Sequence, residues 1–191
     1  IPVATADQGN DTIAVNDARG FARGDYVLLR MQSTRANQRV LQGKIPRSIW
    51  TDVRDRGVAL AEYHRIRSVV GNRITFDRPL LSPVDASWPW TLKKVAMIEQ
   101  VGFEDLCVET SFNDRFEHHK DARHDSGFNA VSLVNTADSW VTNSCFRNVT
   151  APVVIRGGMA NSILLNRIEG NPGHFGMQVE YGTRNLIGLT V

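Results

Sequence analysis

The amino-acid sequence predicts an all-β fold, a parallel β-helix solenoid preceded by a β-rich N-terminal cap, on three observations. The last third repeats with a period of 23: Ser139-Trp140, Ser162-Ile163 and Asn185-Leu186 each open a short apolar run, every pair 23 positions after the one before. The same offset links Asn143 to Asn166, Asn148 to Asn171, Cys145 to Ile168 and Val191, and Val131 to Val154 and Met177. The apolar runs are three to six residues long, rich in Val, Ile and Leu, and broken by Gly, Asn and Ser. That suits short strands joined by turns better than helices. A unit this small cannot bury its apolar face alone and must stack on copies of itself. Recurrent asparagines fit turn positions, because Asn tolerates left-handed backbone and can bond to its copy one coil away. Trp140, Ile163 and Leu186 are therefore expected in one inward-facing column.

From Ile1 to about residue 90 the pattern is β-like without repetition. Thr12-Ile-Ala-Val15 and Gly24-Asp25-Tyr-Val-Leu-Leu-Arg30 read as strands, followed by a polar stretch up to Trp50. His64-Arg-Ile-Arg-Ser-Val-Val70 and Arg73-Ile-Thr-Phe-Asp77 form a second alternating pair, and Gly71-Asn72 between them is a two-residue hairpin signal. Pro79 to Pro89 is a proline-marked connection, whose Trp88 and Trp90 are expected to cover the open end of the coil.

The coils are expected over residues 91–191. Ile98 to Glu109 matches the later coils in form, with Asp105-Leu106 where Ser139-Trp140 later stands. Leu106 and Trp140 are 34 positions apart rather than 23, so this coil carries an insertion of 11 residues, at about 110–127. The final run reaches Val191 with no polar cap, an open template for strand addition. The chain is expected to continue into something longer, or to dock there by self-association or strand stacking.

At 191 residues the chain fits one domain, or one with an appendage. Its 22 basic and 20 acidic residues leave a net charge of +2, which favours neither nucleic acid nor a membrane surface as partner. No apolar stretch approaches the roughly 20 residues that a membrane helix requires. Cys107 and Cys145 are the only cysteines; the repeat places them on different faces, as free, buried thiols.

The insertion is the densest charged and imidazole-bearing segment, with His118, His119, Lys120, Asp121, Arg123, His124 and Asp125 within eight positions. Loops that project from a solenoid face are where such folds carry binding or chemistry. One reading is polysaccharide cleavage by β-elimination, which needs a base beside a uronate carboxylate and a cation to neutralise that carboxylate. Lys120, Arg123 and His124 are the candidate base and neutralisers, with His174 of Gly170-Asn-Pro-Gly-His-Phe-Gly176 facing the same groove. His118, His119, Arg147, Arg156 and Glu180 are the candidate substrate-binding residues, since arginines on a β-helix face suit carboxylate-bearing sugars. No metal site is assigned: His118, His119 and His124 match no standard zinc spacing. Ca2+ at Asp121 or Asp125 is the one cofactor left open. The plainer alternative for the whole segment is a solvated loop of alternating charge.

Ser126-Gly-Phe-Asn-Ala-Val-Ser-Leu133, Asp138-Ser-Trp-Val-Thr-Asn143 and Phe146-Arg-Asn-Val149 resemble the pectate-lyase-like (pectin-lyase-fold) superfamily. Gly20-Phe-Ala-Arg-Gly-Asp25 and Gly71-Asn-Arg-Ile-Thr-Phe-Asp-Arg-Pro-Leu80 resemble the β-rich preamble that such proteins carry. The resemblance implies a right-handed coil. It also implies kinship with carbohydrate lyases and hydrolases, with adhesins and phage tailspikes among the members. Pro172-Gly-His-Phe-Gly176 is similar to the Gly-His-Gly turn of polygalacturonases, whereas their paired catalytic aspartates have no counterpart here. The expected function is a secreted, extracellular or cell-surface carbohydrate-active protein. It would act on or bind an acidic polysaccharide as a lyase or hydrolase along the face that carries the insertion. The alternative is a non-catalytic structural or adhesive module of a larger assembly.

Overall fold

Alternating apolar and polar residues build the first of two units in the computed structural model, which describes residues 1–191. This unit, Ile1–Ala96, contains β1 (Thr12–Ala14), β2 (Tyr26–Ser33), β3 (Val58–Val70), β4 (Arg73–Phe76) and β5 (Thr91–Val95). They form an antiparallel sheet in the order β1-β4-β3-β2-β5. The predicted hairpin is present: Val70 faces Arg73 across Gly71-Asn72, and Gly71 takes a left-handed φ of 58°. β5 pairs with β2, so Thr91–Val95 belongs to this sheet and the coils begin after it.

The polar stretch after β2 holds a 3-10 turn (Thr34–Ala36) and two short helices, α1 (Asn37–Val40) and α2 (Thr51–Arg56). Ile13, Leu29, Met31, Ile66, Ile74, Phe76 and Leu92 form the buried core. Trp88 and Trp90, expected to cover a coil end, are members of this core. Their indoles supply much apolar area where the small sheet needs a second layer.

The second unit, Met97–Val191, is built from strands of two to nine residues. They are β6 (Ile98–Glu99), β7 (Gly102–Glu104), β8 (Cys107–Glu109), β9 (Asn129–Ala137), β10 (Trp140–Thr142), β11 (Cys145–Arg147), β12 (Ala151–Met159), β13 (Ser162–Leu164), β14 (Arg167–Glu169), β15 (Met177–Thr183) and β16 (Leu186–Gly188). Every pairing between them is parallel and joins one coil to the next. Three sheets result: β6-β9-β12-β15, β7-β10-β13-β16 and β8-β11-β14. This is the arrangement of a parallel β-helix.

The register differs by one residue from the columns expected. Val141 lies beside Phe103 and Ile163, and Ile163 beside Ile187, so that column points inward; Val141 and Ile163 have no exposed surface. Trp140 instead stands beside Gly102 and Ser162, and Ser162 beside Leu186. The cause is that successive coils are not equal. Residues with left-handed backbone fall in columns, Gln100, Asp138, Ala160 and Arg184 at one corner and Asp105, Asn143, Leu165 and Leu189 at the next. Their spacings are 38, 22 and 24. A period of 23 is the mean of the last two and misplaces every middle coil by one position. In a strand a slip of one residue exchanges inside for outside. Leu106 matches Ser144 rather than Trp140, because it lies at the next corner of its coil, and the insertion is longer than the expected 11 residues.

Asparagines knit the corners, and of the two expected pairs one forms. Asn161 and Asn166 are buried. Asn161 Oδ1 accepts from the Ser139 N–H at 3.1 Å, and its Nδ2 donates to the Thr136 carbonyl at 3.1 Å and to Asn185 Oδ1 at 3.0 Å. Asn166 Oδ1 likewise accepts from the Ser144 N–H, while its Nδ2 donates to the Val141 carbonyl. Asn143 is instead an exposed left-handed corner residue. Asn148 does meet Asn171, accepting its N–H at 2.8 Å.

Cys107 and Cys145 correct another expectation. They are register partners on one sheet, not on different faces, and both are free thiols, Cys107 exposed and Cys145 buried.

Candidate functional site

The insertion leaves the coil after β8 and returns at β9. Thr110 starts it, its hydroxyl bonding to the Asn148 carbonyl one coil on. Phe112 then buries completely against Phe128 and the edge of His124, at centroid distances of 5.4 and 5.7 Å. Asp121 caps the short helix α3 (Ala122–Asp125), with its carboxylate accepting the His124 N–H at 3.0 Å. Asn171 of the glycine-rich turn donates to the carbonyls of Phe112 and Asp114, and so ties that turn to the insertion. The two segments singled out in the sequence therefore fold against each other.

Three imidazoles meet at this junction. His118 and His119 are exposed, and the His174 side chain is 8% exposed. Their ring centroids are 3.7 Å (His118–His119), 4.8 Å (His118–His174) and 5.2 Å (His119–His174) apart. Asp125 lies behind them: Oδ2 is 3.2 Å from His119 Nδ1, and the backbone carbonyl accepts from His174 Nδ1 at 3.1 Å. His119 holds the Asp125 carboxyl below its ordinary range, against the opposing effect of burial. Phe116 and Phe175 flank His174, with centroids at 5.9 and 3.9 Å. Gly173 is obligatory here, since a Cβ would come within 2.3 Å of the Val149 carbonyl oxygen.

The other predicted residues lie elsewhere or are already engaged. His124 is buried, 3% exposed, with Nδ1 2.8 Å from Asp121; its place is in the packing beneath the loop, away from solvent. Lys120 pairs with Glu117 at 2.9 Å, which raises its pKa. Arg123 pairs with Asp114 at 2.9 Å and lies over the Phe128 ring. Arg147 sits on the outer face of the β8-β11-β14 sheet between Glu169 and Glu109, which hold its guanidinium further above its ordinary value. Arg156 pairs with Glu180 at 3.1 Å on the β12 sheet. Of the nine residues, the structure gathers His118, His119 and His174.

Two further features were not anticipated. Beside the outer face of β8-β11-β14 runs a groove of about 470 Å³, lined by Asp105, Cys107, Asn143, Ser144, Leu165 and Arg167 among others. Trp140, expected in the core, is half-buried on the outer face and donates Nε1–H to Glu104 Oε2 at 2.9 Å. The sequence signal was Gly102, the one residue without a side chain in the Trp140 column.

No family model matches the sequence, and no curated protein matches it. Solved structures do. The tailspike protein gp49 of Pseudomonas phage LKA1 aligns over 97% of this chain and 27% of its own, at 15% identity and a TM-score of 0.53. The tailspike gp61 of Pseudomonas phage phi297 aligns over 100% of this chain and 34% of its own, at 10% identity and a TM-score of 0.63. The chain spans about a third or less of the length of those tailspikes. At such identities the likeness speaks for the fold alone, and the chain has the parallel β-helix fold that those proteins share.

Proposed function

We propose that the chain is a carbohydrate-binding β-helix segment of an extracellular or surface-exposed protein. Its saccharide would lie along the face formed by the insertion and the outer side of β8-β11-β14. The observation that carries this reading is the folding of the insertion onto the 170–176 turn, which collects His118, His119 and His174 at a solvent-facing junction. Beside it, the Glu109–Arg147–Glu169 ladder offers charged hydrogen-bonding groups to hydroxyls and carboxylates. The likeness of fold to two phage tailspikes supports the extracellular or surface-exposed placement. A right-handed coil and membership of the pectate-lyase-like superfamily belong to the same proposal.

Catalysis is the finer part of the proposal. A β-elimination would use His119, oriented by Asp125, as the base. Lys120, Arg123 and Arg147 are each paired with a carboxylate, which favours binding over cleavage. A panel of acidic polysaccharides, titrated against the chain by calorimetry and followed for the ultraviolet absorbance of unsaturated products, separates the two. Binding that weakens at least tenfold in a His118→Ala/His119→Ala double variant supports the proposed face. Binding indifferent to that variant, or none across the panel, overturns it.

A further inference from the structure

We propose that His118, His119 and His174 form a binding site for a divalent transition-metal ion, with Zn2+ the expected occupant because three imidazoles and one open position match its tetrahedral preference. The candidate ligand atoms of the three residues lie within 4.8 Å of one another. A tetrahedral zinc with Zn–N bonds of about 2.1 Å needs its nitrogens roughly 3.4 Å apart. Small rotations of the exposed His118 and His119 rings close that gap.

Two independent features point to a ligand and away from a chance cluster. The first is tautomeric. A carbonyl oxygen only accepts, so the 3.1 Å contact from the Asp125 carbonyl fixes the His174 proton on Nδ1. The ionised Asp125 carboxylate does the same for His119 at 3.2 Å. In the neutral rings Nε2 is then the nitrogen left without a proton. A second group holding the far nitrogen is what orients histidines that bind metal and raises their basicity.

The second feature is the local turn. His119 has a φ of 58°, in the left-handed region that the corner residues of the coils also occupy. That turn brings two consecutive imidazoles within 3.7 Å of each other, whereas neighbours on extended backbone point to opposite sides. The turn is pinned by the His119 N–H, which donates to Asp125 Oδ1 at 3.0 Å. Phe116 and Phe175 give the site an apolar wall that limits competing water. Three protein nitrogens leave a fourth tetrahedral position open to solvent or to a ligand oxygen.

The sequence concealed this arrangement, because the third imidazole is not His124 but His174, from a coil that the insertion touches only after folding. The site stands on geometry alone and does not depend on the carbohydrate reading.

The test uses the untagged full chain, stripped with a chelator and titrated with Zn2+ by calorimetry and with Co2+ by visible spectroscopy. The expected result is one ion per chain, the intense bands of tetrahedral Co2+, and affinity that falls as pH drops through the imidazole range near about 6.5. His174→Ala should lower affinity at least 100-fold. His118→Ala, at an exposed position where folding is safe, should lower it at least tenfold. Asp125→Asn, which spares the ligands, should lower it about 10- to 100-fold. Binding unchanged in His118→Ala, or an octahedral Co2+ spectrum like that of the free ion, overturns the proposal. Saccharide titrations with and without chelator are a separate measurement, so either result can fail without the other.

Discussion

The indole of Trp140 rests on Gly102 of the preceding coil, so closely that a Cβ on Gly102 would come within 2.3 Å of the ring. This pair sets the outer surface of β7-β10-β13-β16, and it makes a glycine in a strand understandable: only there does the pleat leave room for a flat ring. Gly102→Ala should unseat the indole, shift the tryptophan fluorescence and cost about 1–3 kcal/mol by overpacking. Fluorescence and stability equal to those of the parent would show that the ring does not lie on Gly102.

Asn161 serves two coils at once, holding the Ser139 N–H, the Thr136 carbonyl and Asn185. Asn161→Ala strands buried polar groups on both sides. We expect a loss of about 2–3 kcal/mol in denaturant unfolding, and faster amide exchange at Ser139 than elsewhere in its coil. A loss below about 0.5 kcal/mol would mean that water replaces the side chain without penalty.

In the first unit, Glu62 and His64 are buried together, with Glu62 Oε2 3.1 Å from His64 Nε2 and His64 stacked on Phe76. Burial pushes the Glu62 carboxyl up, but bonds from His64, the Leu81 N–H and Ser82 outweigh it and hold the group below its ordinary value of 4.5. A carboxyl depressed in the folded state stabilises above its unfolded pKa, and that contribution disappears as pH falls through the folded value. Unfolding of the parent and of Glu62→Gln should therefore differ most near neutral pH, with the parent more stable, and converge as pH drops below 4.5. A gap that stays constant with pH would assign the effect to packing.

The thiols of Cys107 and Cys145 are register neighbours, and Cys145 pushes the Cys107 thiol above its ordinary value. Parallel strands lie about 4.8 Å apart, inside the Cα window of about 4.4–6.8 Å that a disulfide accepts. Mild oxidation should join them within one chain, closing the loop that contains the insertion and adding roughly 4 kcal/mol. Two thiols still reactive after oxidation, or covalent dimers, would refute this.

How much of this was legible in the sequence depends on the scale of the feature. The parallel coils followed from short Val/Ile/Leu runs recurring at a fixed distance, and the hairpin followed from Gly71-Asn72. Which side of each strand faces inward did not follow, because coils of unequal length shift the register, and a shift of one residue reverses Trp140 and Val141. The candidate site was half visible. His118 and His119 stood out as a pair, and His174 as an odd residue in a glycine-rich bend. Nothing local announced that Asn171 would tie that bend to Phe112. His124 looked equivalent to its neighbours, yet the Asp121 cap and Phe112 turn it into the loop's interior.

The left-handed corner residues Gln100 and Asp138 belong to one column although 38 positions separate them, while the coils that follow close in 22 and 24. Corner geometry, not length of polypeptide, thus resets the alignment each time round. The segment from Thr110 to Phe128 is consequently accommodated without loss of register between the coils on either side of it.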